Sequence, residues 1–128
     1  MEQEYLIDTN ILIYALKGMF SEQTYKSMNE FLRKSYNILT ITKIELLGWK
    51  KIQKNEIRVL NDFLKEANVI FINYKIQEKA VKIRQQSGIE TPDSIIAASA
   101  LTSDMTLVTN DQRDFTKIQD LQIFNPFA

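Results

Sequence analysis

Histidine and cysteine are both missing from this sequence, and glycine and proline are scarce, at 3 and 2 among 128 residues. Without cysteine the chain has no disulfide and no thiolate metal site, which fits a reducing compartment. Without histidine it lacks the commonest general acid–base side chain and the commonest ligand for zinc and its neighbours. Any hydrolytic chemistry must therefore rest on carboxylates, lysine, tyrosine, hydroxyls or a bound hard cation. No run approaches the roughly 18 uninterrupted apolar residues of a membrane span. The opening "MEQEY" lacks the basic-then-apolar plan of a signal peptide, so a cytoplasmic protein is expected. No Ser/Gly-rich linker, repeat or low-complexity tract breaks the chain, which reads as a single domain over residues 1–128.

An excess of either charge is also absent, since 16 bases balance 16 acids. The distribution is uneven, however. The segment from Lys17 to Arg84 holds 14 bases and 7 acids, leaving 2 bases and 9 acids for the flanks. Short apolar runs over Tyr5 to Ile7, Ile38 to Ile41, Val69 to Ile72 and Thr106 to Val108 predict buried strands. A weaker run from Gln122 to Phe124 stops at Asn125-Pro126. Between the runs, apolar residues recur at helical spacing, as in Ile57, Leu60 and Leu64, or Ile76, Ala80 and Ile83. The alternation predicts an α/β fold: a three-layer α/β/α sandwich around a mostly parallel, Rossmann-like sheet. Such sheets bind ligands beyond the carboxyl ends of their strands, so chemistry is sought there.

The residues after the strands are acidic. Asp8-Thr9-Asn10 follows the first run, Thr42-Lys43-Ile44-Glu45 the second, and Thr109-Asn110-Asp111-Gln112-Arg113-Asp114 the fourth. In "TPDSIIAASA", Thr91 reads as N-cap, Pro92 as the first helical residue and Asp93 as part of the first turn. Each acid has a structural explanation. Asp8, Thr9 or Asn10 could cap a helix, Thr42 and Glu45 fit a capping box, and Asp93, Asp111 and Asp114 suit helix dipoles or caps. Taken together, a carboxylate opens every helix expected at one edge of the sheet. Converging carboxylates without histidine or cysteine describe a site for hard divalent cations, Mg²⁺ or Mn²⁺.

The segments "LIDTNILIYAL", "ITKIELLGW", "TPDSIIAASAL" and "LVTNDQRDF" with "IFNPF", in this order, resemble the PIN domain, and within it the VapC-like toxins of bacterial and archaeal toxin–antitoxin pairs. The resemblance covers nearly the whole chain. It implies a metal-dependent endoribonuclease in which Asp8, Glu45 and Asp93 are the first three acids and Asp111 or Asp114 the last. Thr109 and Asn110 are then supporting polar residues. Where the family commonly carries lysine or another residue before the proline–aspartate pair, this chain has Glu90-Thr91. A homodimer and a small antitoxin partner, its C-terminal segment lying in an apolar groove near the site, are implied as well.

The expected reaction is hydrolysis of RNA phosphodiester bonds, tRNA included, by water at one or two Mg²⁺ or Mn²⁺ ions. Asp8 and Asp93 are the expected main ligands, with Asp111 or Asp114 completing the site. Glu45 is expected to bind a second ion or place the attacking water, and Thr9 and Asn10 to orient Asp8. Setting aside these five acids leaves 16 bases against 11 acids, a surround suited to a polyanion. Lys43, Lys50, Lys51 and Lys54 are the nearest basic candidates. Trp49, Tyr14 and Phe20 either stack on bases or pack in the core. The competing readings are a non-catalytic PIN-like module that binds RNA or protein, a PIN nuclease without an antitoxin, and a Mg²⁺-dependent phosphatase. Asn10 disfavours the haloacid-dehalogenase form of the last, because no acid stands two residues after Asp8.

Overall fold

Each strand of the sheet has only two or three residues, and all but the third run directly into a polar residue. A computed structural model describes residues 3–127. The strands are β1 (Tyr5–Ile7), β2 (Asn37–Leu39), β3 (Asn68–Ile70), β4 (Thr106–Val108) and β5 (Ile123–Phe124). They lie in the order β3-β2-β1-β4-β5, and every pairing is parallel. Seven helices connect them among the described residues: α1 (Thr9–Leu16), α2 (Glu22–Lys34), α3 (Thr40–Leu47), α4 (Lys54–Lys65), α5 (Tyr74–Ser87), α6 (Thr91–Thr102) and α7 (Gln112–Phe115). None of them is long and apolar enough to cross a membrane.

Period-two alternation sends neighbouring strand residues to opposite faces. Leu6, Leu39 and Leu107 join Ile76, Ile83, Ala97 and Phe115 in one core, beneath α5, α6 and α7. Ile7, Ile38 and Val108 join Ile11, Met28, Leu46 and Leu60 in the other, beneath α1 to α4. The result is the expected three-layer sandwich. Leu107 is completely buried. Leu107→Ala should lower the unfolding free energy by about 2–5 kcal/mol in a urea titration, through lost burial and the cavity left behind.

The chain builds outward from β1 through β2 to β3, then returns to place β4 on the other side of β1. Strand order reverses between β1 and β4, and the crevice beyond their carboxyl ends is where an open parallel sheet binds its ligand. Asp8 follows β1 there and Thr109 follows β4.

Several boundaries differ from the sequence reading. The second run ends as a strand at Leu39, and Thr40 and Ile41 already belong to α3, whose N-cap is Leu39. Thr40 and Ile41 favour strands by β-branching, but the Thr40 hydroxyl donates to the Ile70 carbonyl and the backbone there turns into a helix. Thr42 is therefore helical and Glu45 lies too deep in α3 for a capping box; that motif occurs instead at Gln53 and Glu56. At α6 the N-cap is Glu90, not Thr91, so Thr91 and Pro92 both lie within the first turn. β3 also begins earlier than expected, at Asn68, and ends at Ile70.

Candidate metal centre

Asp8 is both a helix cap and a buried acid. Its backbone N–H donates to the Val108 carbonyl at 3.0 Å, which extends the β1–β4 pairing. Its Oδ1 accepts the Thr9 N–H at 2.8 Å and its Oδ2 accepts the Thr109 hydroxyl, also at 2.8 Å. The two bonds fix the carboxylate in one orientation. Thr109 accepts in turn from the Asp111 N–H at 3.0 Å, so one hydroxyl ties the end of β4 to both acids.

Glu45 reaches the same place from α3. The Thr9 hydroxyl donates to its Oε1 at 2.8 Å, spanning residues 36 apart in sequence. Asp93, near the start of α6, completes the arrangement with Asp111 and Asp114 on the turn into α7. One carboxylate oxygen from each of these three lies within 4.8 Å of the others. Asp111 caps α7 by accepting the Asp114 N–H at 3.5 Å. Of the five acids only Asp114 has a cationic neighbour among the described residues, Lys117 at 3.7 Å.

Such crowding has an electrostatic cost. Burial pushes the Asp93 carboxyl up to about 6, helped by the negative charges of Asp8, Asp111, Asp114 and Glu45. Burial also raises Asp8, opposed by its bonds from Thr109 and Thr9, with Asp111 and Glu45 adding repulsion. Both acids thus sit where the protein opposes their charge. A hard divalent cation removes that conflict, and the donors are all oxygen, so the residues present fit Mg²⁺ or Mn²⁺.

The raised Asp93 value has a pH consequence in metal-free protein. A carboxyl whose folded value exceeds its unfolded value of 3.8 stabilises the fold when protonated, and that contribution disappears as pH rises through about 6. Asp93 is only half-buried, so after allowance for solvent screening the effect is on the order of 1 kcal/mol. Melting in chelator at pH 5 and pH 7.5 should show Asp93→Asn raising Tm at the higher pH and flattening this dependence.

Other residues singled out in the sequence fall in different places. Asn10 is exposed and Asn110 half-buried, and neither side chain makes a hydrogen bond among the described residues. Thr9 holds Asp8 through its backbone, whereas its hydroxyl serves Glu45. Phe20 is core, packed against Tyr25 and Phe127. Tyr14 meets Phe127 edge-on, and Trp49 carries Lys17 Nζ 5.0 Å from its ring centre. Lys43, Lys50, Lys51 and Lys54 are exposed. Two neighbours escaped the sequence reading. Lys117 could have been suspected from its i,i+3 spacing to Asp114. Thr42 reads in sequence as a cap, although i,i+3 spacing on a helix also puts it on one face with Glu45.

The PIN domain family model matches residues 5–121. Ribonuclease VapC2 of Rickettsia felis is 30% identical over 133 residues, spanning 94% of this chain and 96% of that protein. Among solved structures, VapBC2 from Rickettsia felis, bound to a DNA fragment from its promoter, superposes with a TM-score of 0.83 at 27% identity, covering 96% of this chain and 98% of its counterpart. A toxin–antitoxin complex from Klebsiella pneumoniae does so with a TM-score of 0.73 at 29% identity, again covering 96% and 98%. With the family's fold, the carboxylates gathered at the crevice between β1 and β4, and similarity along nearly its whole length, this chain belongs to the PIN domain family and stands among its VapC-like members.

Proposed function

We propose that this chain is a single-domain, Mg²⁺- or Mn²⁺-dependent endoribonuclease, the toxin of a VapBC-type toxin–antitoxin pair acting in the cytoplasm. The observation that carries the reading is the convergence of Asp8, Glu45, Asp93, Asp111 and Asp114 on one crevice, with Asp93 pushed up to about 6 by burial and by the charges of the others. The curated relative named a ribonuclease supports the substrate class.

Asp8, Asp93 and Asp111 or Asp114 would hold the cation, with Glu45 at a second ion or at the attacking water. When bound, the cation supplies Lewis acidity toward the phosphate and acidifies water near neutral pH. The chain's own residues do the positioning. Thr109 and the Thr9 N–H keep both oxygens of Asp8 in place, so that little reorganisation is left for the reaction. Glu45, held by Thr9, presents a carboxylate able to accept a proton from water. Outside these five acids the chain carries 16 bases and 11 acids, a balance that favours an RNA backbone.

The partners follow from the same reading. The solved relative from Klebsiella pneumoniae is a toxin–antitoxin complex, which supports an antitoxin here. Its segment would enter the apolar cavity of about 450 Å³ between α1, α2 and α4, where Leu12, Met28, Leu32 and Phe63 form the wall and Arg33, Asp62 and Glu66 supply charges. A homodimer would cover the exposed Ile44 and Leu47 of α3 and Phe71 and Tyr74 beyond β3. The bond from Thr40 to the Ile70 carbonyl brings the two groups to adjoining strand ends.

Product chemistry tests the reaction. Attack by water with the 3′ oxygen leaving gives 5′-phosphate and 3′-hydroxyl ends on tRNA or synthetic RNA cut in Mn²⁺. Fragments ending in 2′,3′-cyclic phosphate would mean attack by the RNA's own 2′-hydroxyl and would overturn the mechanism.

A further inference from the structure

Thr42 is completely buried in the first turn of α3. A buried hydroxyl needs a partner, and helical serines and threonines commonly find one in their own backbone. Ser87 and Ser99 do so here, donating to the carbonyls of Ile83 and Ile95. Thr42 does not. Among the described residues its side chain meets one polar partner, the Thr9 hydroxyl, with the oxygens 3.3 Å apart.

Proton counting sets the direction of that contact. Thr9 has one hydroxyl proton and two neighbours, Glu45 Oε1 at 2.8 Å and Thr42 Oγ1 at 3.3 Å. An ionised carboxylate can only accept, and it is the nearer and stronger acceptor, so the Thr9 proton goes to Glu45. Thr42 then donates its own proton to a free lone pair of Thr9. The chain of bonds runs from Thr42 through Thr9 to Glu45, and each donor polarises the next. Its two ends lie on one face of α3, three residues apart, with the hydroxyl from α1 between them.

The arrangement matters because the Glu45 residue is exposed. An exposed glutamate samples many rotamers, and Thr9 holds this one only while its own side chain keeps the rotamer that reaches the carboxylate. We propose that Thr42 is a positioning residue that, by donating to the Thr9 oxygen, holds the Thr9 side chain in the rotamer whose hydroxyl reaches Glu45, and so keeps that carboxylate at the crevice beside Asp8. The inference rests on the nuclease reading for its kinetic consequence, but the position of Glu45 can be measured without it.

Thr42→Val removes the hydroxyl at nearly constant shape, and Thr42→Ser keeps it while losing the methyl. In Mn²⁺, Thr42→Val should cleave RNA about tenfold more slowly at saturating substrate with KM unchanged, and Thr42→Ser should recover most of the rate. In metal-free crystals, Glu45 should leave Thr9 in the valine variant and stay in the serine variant. In a Thr9→Val background, Thr42→Val should cause no further loss. Wild-type rates with Glu45 in place in Thr42→Val would overturn the proposal, as would equal losses in the serine and valine variants or additive losses with Thr9→Val. If Thr42→Val does not fold, Thr42→Ala against Thr42→Ser carries the same contrast. A wild-type protein that leaves RNA intact in Mn²⁺ would remove the nuclease reading alone, and the crystallographic comparison would still decide the role of Thr42.

Discussion

Asp8→Asn is expected to reduce RNA cleavage on the order of a thousandfold, equivalent to losing about 4 kcal/mol of transition-state stabilisation, while the protein stays folded. Both halves follow from the same contacts. Asparagine keeps the oxygen that accepts the Thr9 N–H, and its amide can turn a donor toward Thr109, so the cap on α1 and the packing at the end of β1 survive. What disappears is the negative charge. Burial and the neighbouring charges of Asp111 and Glu45 oppose that charge in metal-free protein. Circular dichroism should therefore show Tm unchanged or higher than wild type, beside near-absent cleavage. Stability and activity are set against each other at this position, as expected for a site built to hold a ligand. Wild-type cleavage by the variant would remove Asp8 from the site.

The second large effect concerns the cation. Mn²⁺ at about a hundredfold above its dissociation constant should stabilise the fold by about 2.7 kcal/mol, on the order of 10 °C in Tm. The bound cation offsets both the burial and the neighbouring negative charges that push Asp93 up to about 6. Two controls separate it from non-specific binding. The shift should shrink as pH falls below about 6, because a protonated Asp93 must release its proton before it can ligate. It should also be largely lost in Asp93→Asn, which removes a charge from the cluster with Asp111 and Asp114. A set of carboxylates serving only as caps predicts no shift in either protein.

Much of the fold can be read in the sequence because parallel strands buried on both faces appear as unbroken apolar runs. β1 and β4 have the expected bounds, since "YLI" and "TLV" end at residues that leave the sheet. β2 was harder to bound. Thr40 and Ile41 look like strand in isolation, and their helical state depends on a bond to Ile70, in another strand. The same limit applies to the site. That carboxylates open several helices at one sheet edge is visible in the spacing, and so is the cap at Asp8. The bond from Thr9 to Glu45 is not, because it joins residues whose proximity only the packing of α1 on α3 creates. Asn10 and Asn110 stand beside acids in sequence, and neither side chain makes a hydrogen bond among the described residues.

Helix capping and chemistry are therefore compatible roles for these acids. Asp8 and Asp111 each cap a short helix and each face the crevice between β1 and β4. Capping uses one carboxylate oxygen and leaves the acid's charge intact, so caps at the switch point of a parallel sheet supply ligands without a separate scaffold.

The most direct measurement of the central claim is cleavage of RNA by purified protein in chelator, followed by addition of Mn²⁺ in excess, with Asp8→Asn run in parallel. The predicted result is no cleavage in chelator, recovery on Mn²⁺ addition by the wild-type chain, and none by the variant. Cleavage that persists in chelator, or that returns equally in both proteins, would contradict a metal centre built on these carboxylates.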